Sequence, residues 1–181
     1  MDNKLSPEQQ ETLLYLAREA VTVYLDTGNT LEKDTCDNSF LEHRGAFVTL
    51  KVRGELRGCI GYPIAFKSLY ATIIDAAIAA ASSDFRFQPL TKEELQKTKI
   101  EISVLTPPRQ VEDIHEIEIG IHGIVISKGP NKGLLLPQVP REWNWDLETY
   151  LEHGCLKAGL DKNEWKRDAQ IEIFSAQVFS E

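Results

Sequence analysis

A chain of 181 residues, 42% of them hydrophobic, is long enough for one domain, or one domain with a small appended lobe, and for a sizeable buried core. Its net charge of -8 argues against the broad basic surface that supplies most nucleic-acid affinity, so nucleic acid is not expected as a partner. No apolar run approaches the ~20 residues of a membrane helix, and Met1-Asp2-Asn3-Lys4 leads into a polar helix start without a signal-peptide core; a cytoplasmic protein with no membrane partner is expected.

Ser6-Pro7-Glu8-Gln9 opens a helix, with serine as cap, proline in the first turn and glutamine at the capping-box position. Leu13, Leu16, Ala17, Ala20, Val21 and Tyr24 form its apolar face, and Gly28-Asn29 ends it. Residues 30–42 have no periodicity and read as an exposed loop carrying Cys36. Cys36, Cys59 and Cys155 are an odd, widely spaced set that suits free thiols in a reducing compartment. Neither Cys-x-x-Cys nor His-x-x-x-His occurs, so no metal is expected, and no motif calls for a cofactor.

Two alternating runs, 47–52 and 56–60, meet at Arg53-Gly54-Glu55, the pattern of a β-hairpin. A two-residue loop at Gly54-Glu55 would put Leu50 opposite Cys59 and drive Arg57 onto the apolar face. A three-residue loop, Arg53-Gly54-Glu55, aligns Val48, Leu50 and Val52 with Ile60, Gly58 and Leu56 instead. It sends Thr49, Lys51, Arg57 and Cys59 to the opposite face, and this is the register expected.

A second helix is predicted over 68–81, with Ser68, Thr72, Asp75, Ala79 and Ser82 on a stripe facing water and a wide alanine-rich face for a sheet. Asp75 therefore reads as a solvated residue. Residues 83–90 form an irregular link before the capping box Thr91-Lys92-Glu93-Glu94. Residues 99–105 alternate as a half-buried strand with Glu101 and Ser103 outward, ended by Pro107-Pro108. A charged connection over 111–119 precedes a strand over 121–128, which Gly129-Pro130-Asn131-Lys132-Gly133 turns back into Leu134-Leu135-Leu136. A third helix, capped by Asn144, should end near Lys157 with Gly159 beyond it, and 163–167 reads as one helical turn. Residues 170–179 read as one closing strand whose apolar phase slips between Ile173 and Phe174. Hairpins dominate, so the expected class is α+β, a mainly antiparallel sheet of about five strands flanked by helices.

The chain resembles the AMMECR-type domain family over nearly its whole length. The most specific block is Leu56-Arg57-Gly58-Cys59-Ile60-Gly61, preceded by Gly45-Ala46-Phe47-Val48-Thr49-Leu50. Further blocks are Glu101-Ile102-Ser103-Val104-Leu105, Gly120-Ile121-His122-Gly123-Ile124, Leu135-Leu136-Pro137-Gln138-Val139-Pro140 and Glu142-Trp143-Asn144-Trp145-Asp146. One departs from the family: Asp84-Phe85-Arg86-Phe87 carries phenylalanine where the family's link resembles Asp-Pro-Arg-Phe. The resemblance implies a single domain in two interleaved lobes, the second smaller. It implies no activity, but prokaryotic members are often encoded beside a radical-SAM protein and a Memo-like protein, which implies a modification pathway.

Cys59 has two readings. Two cations beside a thiol, Lys51 and Arg57, favour its reactive thiolate form; equally, cysteine is a small residue that packs well in a glycine-flanked strand. Lys51 and Arg57 facing each other would repel unless an anion lies between them, either Glu101 or a ligand carboxylate or phosphate. His122, flanked by glycines, is the best-placed histidine for a base or ligand, or a satisfied structural one. Asp84 with Arg86 could bind a polar substrate or brace a loop, and Gln138, Glu142 and Trp143 could line a pocket or pack. The glycine patterns fit neither a dinucleotide fingerprint nor a phosphate loop. These residues suggest a site for a small anionic molecule or peptide, lined by Lys51, Arg57, Cys59, Asp84, Arg86, His122, Gln138, Glu142 and Trp143. The alternative is a cysteine-dependent enzyme with Cys59 as nucleophile and His122 as base.

Overall fold

In a computed structural model describing residues 4–64 and 66–181, helices and strands alternate irregularly and the strands fall into two sheets. Met1-Asp2-Asn3, read above as leading into the first helix, lies outside the described residues. The first elements are α1 (Pro7–Thr27), α2 (Asn38–Leu41), β1 (Ala46–Val52), β2 (Glu55–Tyr62), α3 (Leu69–Ser82), α4 (Lys92–Leu95) and β3 (Thr98–Leu105). They are followed by β4 (Arg109–Gln110), β5 (Gly123–Lys128), β6 (Asn131–Leu135), α5 (Val139–Glu142), α6 (Leu147–Lys157), β7 (Gln170–Phe174) and β8 (Ala176–Ser180).

The chain divides into two compact units, Met1–Leu105 with Gln177–Glu181, and the smaller Thr106–Ala176. In the first, four strands lie in the order β2-β1-β3-β8, and the β1–β2 and β1–β3 ladders are antiparallel. Val48, Leu50, Ile100 and Ile102 are fully buried on one face, beneath α1 and α3. A Cβ at Gly58 would lie 2.2 Å from the Ala80 carbonyl oxygen, so the glycine lets α3 approach β2 closely. In the second unit four strands lie in the order β4-β7-β5-β6, with antiparallel ladders throughout. Ile124, Ile126 and Ile173 pack there against Tyr150, Leu151 and Cys155 of α6.

The α+β class holds, with the strands shared between two sheets of four in place of one of about five. The difference arises at the C-terminus: 170–179 is two strands, and Ser175 breaks it where Ile173 and Phe174 are both buried. Hence β7 lies between β4 and β5 in the second sheet and β8 returns to the first. The loop over 30–42 contains α2, whose Phe40 is buried and whose cap, Asp37, accepts from Gln9 Nε2 (3.0 Å). Asp146, not Asn144, caps α6 through the Thr149 N–H (2.8 Å); Asn144 has φ 52. The stripe of α3 expected to face water is closed at Thr72, only 3% exposed. Among the described residues no helix is long and apolar enough to cross a membrane.

Candidate functional site

Arg53 (φ 55) and Gly54 (φ 86) are both left-handed, which makes a two-residue turn with Val52 paired to Glu55. Two positive φ values match the twist of the flanking strands, so this turn displaces the expected three-residue loop. The expected pairs Val48–Ile60, Thr49–Cys59 and Leu50–Gly58 are present, but Lys51 then pairs with Leu56. Arg57 is the surplus residue of a β-bulge. The bulge re-aims its side chain away from Lys51.

Lys51 and Arg57 consequently have separate counter-charges. Lys51 Nζ donates to Glu101 Oε2 (2.9 Å). Arg57 forms a fork with Glu94 through Nε (3.1 Å) and Nη2 (3.0 Å), and its Nη1 donates to Gln88 O (2.9 Å). Glu94 also accepts from the Thr91 N–H in its capping box. Arg57, then the Thr91 N–H, hold its carboxyl below the ordinary range. The Arg57–Glu94 pair could not be found from the capping box alone, because it depends on the bulge.

Cys59 occupies β2, an outer strand of the first sheet, and the link after α3 covers its backbone. Asp84 Oδ2 accepts the Cys59 N–H (2.9 Å), and Arg86 Nη2 donates to Cys59 O (3.3 Å). One acid and one base thus satisfy the two groups that a further strand would otherwise pair. Asp84 also accepts from Arg86 Nε (2.9 Å), Nη2 (2.7 Å) and the Arg86 N–H (3.2 Å). Asp84 is 4% exposed, and Arg86 holds its carboxyl far below the usual carboxylate range despite that burial. The Arg86 guanidinium also lies 5.5 Å over the Phe87 ring. The half-buried thiol accepts from Thr49 Oγ1 (3.2 Å).

His122, Gln138, Glu142 and Trp143 belong to the second unit. The Glu118 N–H donates to His122 Nδ1 (3.0 Å), which leaves Nε2 to carry the ring proton and occupies the lone pair a base would use. Tyr150, absent from the sequence-derived set, joins the segments bearing His122 and Gln138. Its fully buried hydroxyl lies 3.3 Å from His122 O and 3.2 Å from both Leu135 O and Leu136 O, and burial raises its pKa. Arg141 packs so closely on Gly120 (φ 80) that a Cβ there would lie 1.7 Å from Nε. Gln138 and Glu142 are exposed, and Trp143 is 68% exposed at the end of a Trp143–Trp145–His153 stack. Among the described residues no group of three or more His, Cys, Asp or Glu is placed to hold a metal.

Two α+β units with separate cores, the first built on a glycine-punctuated hairpin clamped by an Asp–Arg link, define the class. The chain belongs to the AMMECR1 family, whose model matches residues 14–179. It is 46% identical to protein MK0488 of Methanopyrus kandleri, covering 100% of this chain and 92% of that one. It is 42% identical to a protein of Methanothermobacter thermautotrophicus over 98% and 96% of the two chains. Its fold matches the crystal structure of uncharacterized protein PH0010 from Pyrococcus horikoshii with a TM-score of 0.78 and 39% identity, covering 98% and 93%.

Proposed function

We propose that the protein is a binding module, and that the outer face of its first sheet around Cys59 takes a small anionic molecule or an acidic peptide. The observation that carries this reading is Arg86. Asp84, Cys59 O and the Phe87 ring fix its guanidinium, while Nη1 has no partner among the described residues and the side chain is 45% exposed. A cation oriented before binding loses little rotamer freedom when an anion docks. Lys51, 37% exposed, is a second donor, on the hairpin itself. Arg57 supports the site through the bulge, since its fork is spent on Glu94. In the second unit, taken by itself, His122, Gln138, Glu142 and Trp143 are proposed as a separate set of binding residues, on the exposure of Gln138, Glu142 and Trp143.

Calorimetric titration with inorganic phosphate and with an N-acetylated diglutamate peptide tests this. Saturable binding that survives Cys59→Ser and is lost in Arg86→Ala supports it; absence of binding to both refutes it. A cysteine-dependent enzyme with Cys59 as nucleophile and His122 as base has less support, because Thr49 is the thiol's partner and His122 Nδ1 is engaged. We further propose that the chain acts as one domain in two interleaved lobes, in the cytoplasm, with radical-SAM and Memo-like partners. Family membership and three free cysteines support this. Co-sedimentation with each partner tests that association.

A further inference from the structure

Tyr62 at the end of β2 and residues 64, 66 and 67 line, with the N-terminal half of α3, a second site, independent of the anion reading above. Tyr62, Ile64, Phe66, Lys67, Thr72 and Asp75 line a cavity of about 190 Å³. Three of these are large apolar residues exposed at 41%, 46% and 77%. The polar groups sit on α3. Thr72 is 3% exposed, its N–H is used on Ser68 O (2.9 Å), and its hydroxyl has no hydrogen-bond partner among the described residues. Asp75 Oδ2 accepts from Lys67 Nζ, and Oδ1 has no partner among the described residues. The hydroxyl lines the cavity, where it can accept from or donate to a group that enters.

We propose that this cavity binds a compact apolar group bearing a primary ammonium. Its volume suits one ring and a short arm, since an apolar cavity of about 150 Å³ accepts benzene. Thr72 Oγ1 and Asp75 Oδ1 are acceptors for an ammonium, and the faces of Tyr62 and Phe66 favour a cation. The net charge of -8 adds a long-range attraction for cations. Lys67, 60% exposed, holds Asp75 Oδ2 and competes with the ligand's ammonium for the same carboxylate.

Amide NMR titrations of the whole chain with 2-phenylethylammonium, 2-phenylethanol and phenylacetate share one apolar body and vary only the head. The ammonium should give saturable shifts at Ile64, Phe66, Thr72 and Asp75, with a dissociation constant about tenfold below that of the alcohol, as expected for a charge-assisted hydrogen bond. Asp75→Asn should remove that advantage while leaving the alcohol unchanged, and Lys67→Ala should tighten the ammonium. Saturable shifts confined to other residues, no saturation with any probe, phenylacetate binding as tightly as the ammonium, or an Asp75→Asn variant that keeps the advantage would each overturn the assignment.

Discussion

Asp84→Asn is the sharpest probe of how the first unit holds its hairpin. The carboxylate accepts four hydrogen bonds, from the Cys59 and Arg86 N–H groups and from Arg86 Nε and Nη2. Asparagine keeps one acceptor oxygen and turns an NH2 towards donors, so about two charge-assisted bonds are lost at about 1.5 kcal/mol or more each. Arg86 is 45% exposed and can turn to water, which sets the expected loss at about 2–4 kcal/mol, somewhat below the about 3–5 kcal/mol of a fully buried pair. Far-UV circular dichroism against urea measures it. The pH dependence follows from the depressed carboxyl. A lowered folded-state pKa stabilises fully above the unfolded value of about 4, and this contribution fades as pH falls below that value. The gap between wild type and variant should therefore be full at pH 7 and shrink steadily through the acid range. A loss under about 0.5 kcal/mol at pH 7, small against the usual effect of a broken charge-assisted bond, would refute the clamp, as would a gap indifferent to acid.

Gly58→Ala places a methyl against the Ala80 carbonyl oxygen, where backbone must shift. It should cost about 1–3 kcal/mol by overpacking, whereas Gly54→Ala, with open space around it, should show only turn strain; urea midpoints compare the two. Tyr150→Phe removes the proton shared among three carbonyls and should cost about 1 kcal/mol. Tryptophan fluorescence reports it, since Trp143, Trp145 and Trp165 all lie in the second unit.

Period and punctuation made much of this fold legible. The capping boxes at Ser6 and Thr91 form as the spacing requires, because a cap is a local bond between residues three apart. The alternation of β1 and β3 fixed which side chains enter the core, and the Lys51–Glu101 pair was one of the two readings it left open. Register in the distal half of the hairpin was not legible. Arg53 is not glycine, yet it adopts a positive φ, and that choice creates the bulge that carries Arg57 to Glu94. The fate of 170–179 was equally hidden, because the hydrophobic slip at Ile173 and Phe174 suits a bulge as well as a strand changing sheets. Asp84 and Arg86 stand two residues apart, so their pairing was one of the open readings. That both would reach the backbone of Cys59 is long-range information no spacing holds.

The rate at which iodoacetamide alkylates each cysteine, followed by mass spectrometry across pH in wild type and His122→Ala, tests binding against catalysis directly. If Cys59 is a packed residue beside a binding face, exposed Cys36 reacts first, half-buried Cys59 more slowly and buried Cys155 only on unfolding. The Cys59 rate is then the same in His122→Ala. A Cys59 that outpaces Cys36 near neutral pH, and slows when His122 is removed, would contradict the account and make the thiol a nucleophile.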